Sequence, residues 1–279
     1  MGDNSPLRFA AGSGDPVLLL HGFTGTWQIW RPVLADLVAR FHVMAPTLPG
    51  HSGGPLYDGG AEFSFDRLTR WAEAELDAHG VDTAHVVGNS MGASLALELA
   101  ARGRARSVVA IAPGFDWLPG DPLGPRLARQ FRHSTERTRR SSEHLERAMR
   151  LAPLRRFLLR NVMRHAERMT AGQAVQMARA SIDCSIVDVV TEAMATGDAA
   201  LSALNAITVP TLIAWPQHDR VLPASLHGQR FADEIPDVRM RTLAGVGHIP
   251  TYDDPELIVE TITDWIAHAN GPAARLVAP

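Results

Sequence analysis

Residues 84–92 read Ala-His-Val-Val-Gly-Asn-Ser-Met-Gly, and no other stretch restricts the fold as much. An apolar run ends in Gly88-Asn89-Ser90-Met91-Gly92, and an Ala/Leu-rich segment follows at once. The pattern predicts a strand, a sharp turn with a serine at its apex, and a helix. Such a turn strains the serine backbone, so only small residues fit two positions either side of it, where Gly88 and Gly92 stand. The strain has a use if Ser90 is a nucleophile. It lifts the hydroxyl clear of the sheet and sets the Met91 N–H at a helix N-terminus, facing the reacting atom. Gly-x-Ser-x-Gly also arises by chance in flexible loops; here the strand before it and the helix after it supply the setting the chemistry requires.

The rest of the chain extends this unit. Short apolar runs predict strands at 7–10, 17–20, 41–45, 107–112, 211–215 and 238–243. Between them, residues 28–40, 65–79, 93–101, 224–233 and 255–268 carry apolar side chains at helical spacing, the last with Asp253 or Asp254 as its cap. Strands separated by helices imply a mostly parallel sheet covered on both faces. The alternation is interrupted once, from about 114 to 196, where the pattern is helical throughout. The expected organisation is an α/β core of residues 1–113 and 197–270, a helical lid of 114–196 over the carboxyl edge of the sheet, and a disordered Pro/Ala-rich tail of 271–279. A chain of 279 residues, 46% hydrophobic, suffices for one such domain with its insertion.

A serine hydroxyl needs a base, and the base needs an orienting group. The strand 211–215 runs into Gln217-His218-Asp219-Arg220, and the strand 238–243 into Gly245-Val246-Gly247-His248. In a parallel sheet both loops leave the same edge as Ser90, so Ser90, His248 and Asp219 can converge as nucleophile, base and orienter. A lone loop histidine among twelve, or a lone loop aspartate, is usually a solvated or capping residue; joint placement after successive late strands raises these two. Asp116, after the strand 107–112, is the competing acid, and a helix-start role suits it better. The oxyanion needs two backbone donors. Met91 N–H is one, and Phe23 N–H, in the tight loop His21-Gly22-Phe23-Thr24-Gly25, is the other. The His21 ring is expected to pack or hydrogen-bond within that loop rather than act as a base.

These segments together resemble the α/β-hydrolase superfamily over nearly the whole chain. The shared motifs are His-Gly-Phe at 21–23, Leu-Pro-Gly-His-Ser at 48–52, Gly-Asn-Ser-Met-Gly at 88–92, His-Asp-Arg-Val-Leu-Pro at 218–223 and Gly-His-Ile-Pro at 247–250. The resemblance implies the α/β-hydrolase fold, a triad of Ser90, Asp219 and His248, and an oxyanion hole at Phe23 and Met91. Thr47 stands where many relatives have an aspartate, and the N-terminal antiparallel strands are shortened. A serine nucleophile counts against the haloalkane dehalogenase and epoxide hydrolase branches, which use a carboxylate.

Between Arg126 and Arg168 there are thirteen arginines against four glutamates, and no lysine occurs anywhere. Most of these arginines are read as solvated helix faces; the sharper reading has one or more facing the cleft and binding a substrate carboxylate, or the lid meeting an acidic partner. Trp27, Phe115, Trp117, Val221 and Ile249, with Met91, are candidate pocket walls because each lies near a catalytic loop. A net charge of −3 gives no bias toward nucleic acid or membrane, and a single cysteine, Cys184, forms no internal disulfide and fits a reducing, cytoplasmic setting. The expected activity is hydrolysis of small to medium carboxylic esters through an acyl-enzyme, with no metal or cofactor. The alternatives are a carbon–carbon bond hydrolase of ring-cleavage diketone acids, favoured by Gly-Asn-Ser-Met-Gly but not by Ile249-Pro250 after the histidine, a cofactor-free perhydrolase or lactonase, and a slow-turnover ligand receptor of the same fold.

Overall fold

The computed structural model describes residues 8–115, 119–197, 201 and 204–271. Asp116, Trp117 and the tail beyond 271 therefore lie outside the described residues. The strands are β1 (Arg8–Ala11), β2 (Pro16–Leu20), β3 (His42–Pro46), β4 (Ala84–Asn89), β5 (Ala105–Ile111), β6 (Thr211–Pro216) and β7 (Arg239–Leu243). They form one seven-stranded sheet in the order β1-β3-β2-β4-β5-β6-β7. Only β1 is antiparallel, pairing Arg8 with Pro46 and Ala11 with Val43. The central strands β2, β4, β5 and β6 are buried on both faces, which is why their sequences are continuous apolar runs. The edge strand β7 shows Arg239 and Arg241 to solvent.

Helices cover both faces. α1 (Arg31–Val38) and α10 (Pro255–Asn270) pack on one face, with Leu37, Ile258, Ile262 and Ile266 in the core. α2 (Phe65–Ala78) and α3 (Met91–Ala101) pack on the other, with Leu68, Leu76, Leu95 and Leu99. Asp254 caps α10 by accepting the Leu257 N–H at 3.0 Å. Two elements differ from expectation. The helix expected from residue 28 opens as a 3-10 turn, Trp27–Trp30, because Pro32 has no N–H for a preceding helical turn and suits the start of α1 instead. The helix expected from 224 begins at Gln229 as α9 (Gln229–Glu234), because Gly228 takes a left-handed φ of 95°.

Between β5 and β6 lie α4 (Leu123–Arg140), α5 (Ser142–Met149), α6 (Ala152–Leu158), α7 (Ala171–Ile182) and α8 (Val187–Thr196). They divide in two by packing. Leu127 and Ala128 of α4 and Val190 and Met194 of α8 belong to the main core. Met149, Met163, Met169 and Ala174 form a smaller cluster of their own, closed by Tyr252. Flexible methionines fill such an irregular gap well. No helix among the described residues is long and apolar enough to cross a membrane.

Candidate active site

The chain moves outward from β2 to β3, then returns past β2 to build β4 and the remaining strands. This reversal opens a crevice at the carboxyl ends of β2 and β4, where ligands bind in parallel sheets. The loop after β2 and the turn after β4 both empty into it.

At that turn Ser90 has φ 55° and ψ −120°, a left-handed backbone that a non-glycine residue rarely holds. The neighbouring glycines are required by contact. A Cβ on Gly88 would lie 2.1 Å from the Gly92 carbonyl oxygen, and one on Gly92 would lie 2.2 Å from that of Leu20. The loop after β2 lies just as close, since a Cβ on Gly22 would stand 3.0 Å from Ser90 Cβ. The N–H groups of Phe23 and Met91 have no protein acceptor among the described residues.

The loops after β6 and β7 are tied together by their backbones: Gln217 N–H donates to Leu243 O and His218 N–H to Val246 O, each at 2.9 Å. Across this frame His248 Nδ1 donates to Asp219 Oδ2 at 2.7 Å, so Nε2 is the ring nitrogen not engaged by the carboxylate. Asp219 Oδ1 accepts the N–H groups of Val221 and Leu222 at 2.8 Å each, so the buried carboxylate is fixed from both sides. Ser90 and His248 line one cavity of about 240 Å³, although no hydrogen bond joins Ser90 Oγ to the ring among the described contacts.

His21 lies wholly inside. Leu48 N–H donates to its Nε2 at 2.9 Å, so Nδ1 carries the proton and donates to Gly22 O at 2.8 Å. Burial holds the ring's pKa well below the ordinary 6.5, and the neighbouring His51 lowers it further. The ring is thus a neutral brace between the Gly22 loop and Leu48. His51, edge-on to it, is pushed by burial down to about 4.

The candidate pocket residues separate. Phe23, Val221 and Ile249 line the cavity. Trp27 and Phe115, expected there too, do not: Trp27 stacks on Phe9 of β1 at 5.7 Å, and Phe115 packs on Phe65 and Phe63 at 4.8 and 5.9 Å. The side chain of Met91 lies in the main core and leaves only its N–H at the crevice. The cavity is also lined by Phe131, Leu145, Met149, Leu159, Val162 and Met177 and by the polar Arg137, Ser134 and Thr138, all from the helical segment.

Sequence reasoning passed over two positioning residues. Asn89, just before Ser90, donates to the His248 carbonyl at 2.9 Å and so pins the histidine loop to β4. Asp253 is fully buried and accepts from Gly247 N–H at 2.7 Å, Arg164 N–H at 2.9 Å and His165 N–H at 2.6 Å. Arg168 caps the Asp253 carbonyl, and Ile249 N–H donates to Val162 O at 2.8 Å. The histidine loop and the segment after α6 are therefore one hydrogen-bonded unit. An asparagine in a nucleophile turn was a signal available beforehand; Asp253 left none beyond its place near a helix start.

The sequence matches the profile of the Alpha/beta hydrolase family over residues 17–261. It is 30% identical over 201 residues to the epoxide hydrolase EphH of Mycobacterium tuberculosis, covering 71% of this chain and 93% of that one. It is 25% identical over 276 residues to 2-hydroxy-6-oxo-6-phenylhexa-2,4-dienoate hydrolase of Burkholderia cepacia, covering 92% and 90%. Among solved structures, an esterase of Thermogutta terrifontis superposes with a TM-score of 0.70 at 20% identity, covering 95% of this chain and 93% of that one.

Proposed function

The chain belongs to the alpha/beta hydrolase family and is a hydrolase, and from that premise we propose that it cleaves carboxylic esters of small to medium size through an acyl-enzyme on Ser90. The observation that carries this reading is the convergence on one cavity of a strained serine and a histidine already held by a buried aspartate. His248 Nε2 takes the Ser90 proton as Oγ attacks the ester carbonyl, then returns it to the leaving alcohol. Asp219 holds the tautomer and stabilises the imidazolium. The N–H groups of Phe23 and Met91 receive the oxyanion, an interaction for which each is free. The contact between Ser90 and His248 tightens when substrate fills the cavity. Water activated by His248 then releases the acid.

The likeness to an epoxide hydrolase does not carry its chemistry across. Serine opening an epoxide would leave an ether, which water does not cleave, whereas a carboxylate nucleophile leaves a hydrolysable ester. We read α4 to α8 as the lid of residues 114–196 over a core of 1–113 and 197–270, since they supply much of the lining of the cavity. Cys184 is the single cysteine of the chain and is buried, so it forms no internal disulfide, which suits a reducing compartment, and we propose the cytoplasm as the enzyme's location.

The test is turnover of short-acyl p-nitrophenyl esters. Ser90→Ala is expected to lower it by about 10⁴-fold or more without lowering thermal stability, and a fluorophosphonate probe should label the wild type alone. Retained turnover in the variant overturns the reading, and labelling without turnover points to a slow ligand receptor. A second reading, carbon–carbon cleavage of an acidic diketone, is favoured by Arg137 in the lining of the cavity and by the Burkholderia cepacia relative. Absorbance decay of a vinylogous diketone acid distinguishes it.

A further inference from the structure

A second cavity, of about 150 Å³, shares no lining residue with the one around Ser90. The two are neighbours, because Val162 lines the first and Met163 the second. The walls of the second are Arg156, Arg160, Met163, Arg164, His218 and Arg220. Four solvent-exposed arginines and a histidine thus line a space only a few atoms across.

Little within the protein offsets this charge. Arg156 meets Glu167 at 3.6 Å. Arg160 donates to the Phe157 carbonyl at 2.6 Å and lies over its ring at 4.2 Å, neither of which neutralises it. The guanidinium groups of Arg164 and Arg220 have no hydrogen-bond or ion-pair partner among the described residues. Two other carboxylates lie close in the chain, and both are already committed. Asp219 accepts from Val221, Leu222 and His248, and Asp253 from Gly247, Arg164 N–H and His165. Converging like charges repel, and a bound anion would reverse the sign of that interaction.

We propose that this cavity binds a phosphate group, free or carried as an ester. A carboxylate has two oxygens and is satisfied by one guanidinium fork; four arginines lining one small space offer donors enough for an anion with three or four oxygens, as a tetrahedral phosphate has. The backbone that carries His218, Arg220 and Arg164 is fixed. His218 and Arg220 flank a residue fixed by three hydrogen bonds, and the Arg164 backbone is clamped by Asp253. The site stands whichever bond Ser90 cleaves. Its place beside the Asp219 and His248 loops would let a phosphate serve as the handle of a substrate or as a separate ligand.

Calorimetric titration with inorganic phosphate and with pyrophosphate, at ionic strength matched with chloride, tests the site. The wild type should bind both, and the double variant Arg164→Ala/Arg220→Ala should bind at least tenfold more weakly, with its melting temperature and its turnover of p-nitrophenyl acetate unchanged. No heat above the chloride control, or equal affinity in the double variant, overturns the proposal. Should the double substitution disturb folding, Arg220→Gln alone serves, with a threefold or greater loss expected and equal affinity again overturning it. Kinetics with acetylated glycerol 3-phosphate identify the source. A KM raised tenfold in the variant for this ester but not for p-nitrophenyl acetate places the phosphate on the substrate. An unchanged KM, with phosphate binding still lost, makes it a separate ligand.

Discussion

The loops at the carboxyl edge of the sheet and the helices that line the same cavity are held by different forces. In the loops, backbone meets backbone: the Ser90 turn fits only because Gly88 and Gly92 have no Cβ, and Asp219 and Asp253 are saturated by N–H donors. In the helices, long side chains meet at the surface. Arg132 pairs with Glu192 at 2.8 Å and Arg140 with Glu136 at 2.7 Å, exposed bridges worth at most about 1 kcal/mol each, and some of the helices pack on a small methionine-rich cluster. Reacting atoms need placement within tenths of an ångström, which a hydrogen-bonded backbone supplies. A pocket wall needs shape alone, and packed side chains that tolerate exchange supply that.

Substitutions should separate the two regions. Gly92→Ala puts a Cβ 2.2 Å from a backbone oxygen that cannot yield, so a loss of more than about 4 kcal/mol is expected in urea unfolding. Arg139→Ala on the helical surface should cost about 0.5 kcal/mol or less. Comparable losses would erase the distinction. Acid should act on the loops next. His51 stays neutral in the fold down to about pH 4, whereas the unfolded chain protonates near the ordinary 6.5. The unfolded state therefore binds more protons between those values, and stability, fully present above 6.5, falls as pH drops toward 4. His21 and His85, also held low by burial, act in the same direction, so the loss from this ring, about 2.5 kcal/mol, is read from melts at pH 7.5 and 4.5 of the wild type against His51→Gln. An equal loss in both proteins would place His51 in water.

Asp253 joins the two regions, and Asp253→Asn probes the join. An amide nitrogen facing N–H donors loses acceptors, so about 2 kcal/mol of stability should go. A roughly tenfold fall in kcat, with a shifted acid limb of the pH–rate profile, would show that the His248 loop has moved. A stability loss with kcat and profile intact would make the link structural alone. The smallest effect on catalysis belongs to the wall. Phe131, edge-on to Phe23 at 5.1 Å, should as Phe131→Ala raise KM for aromatic-acyl esters about threefold to tenfold and leave kcat nearly unchanged. A kcat effect larger than the KM effect would assign the helices a part in the chemistry.

The same division governs what could be read from the residues alone. Strand, turn and helix around Ser90 were legible because a steric rule links glycine spacing to a local backbone. The partners Asp219 and His248 were proposed from loops that leave one edge of a parallel sheet, and they are found hydrogen-bonded. Trp27 and Phe115 illustrate the limit. Both lie near catalytic loops in sequence, yet each turned to aromatic neighbours, Phe9 in one case and Phe63 and Phe65 in the other. Proximity along the chain does not say which way a side chain points. Asp253 likewise took its donors from Arg164 and His165, almost ninety positions earlier, where no local pattern could announce it.

Local order, then, was written in the chain itself: alternating apolar periods set the layers, and two glycines around a serine set the turn, because short-range sterics act on neighbours. Tertiary packing alone decided the rest. It chose which helical side chains wall the cavity, which aspartate caps α10 and which clamps the histidine loop, and that four arginines from two distant segments meet around one small space. Those contacts depend on where whole elements come to lie, a quantity that no window of sequence contains.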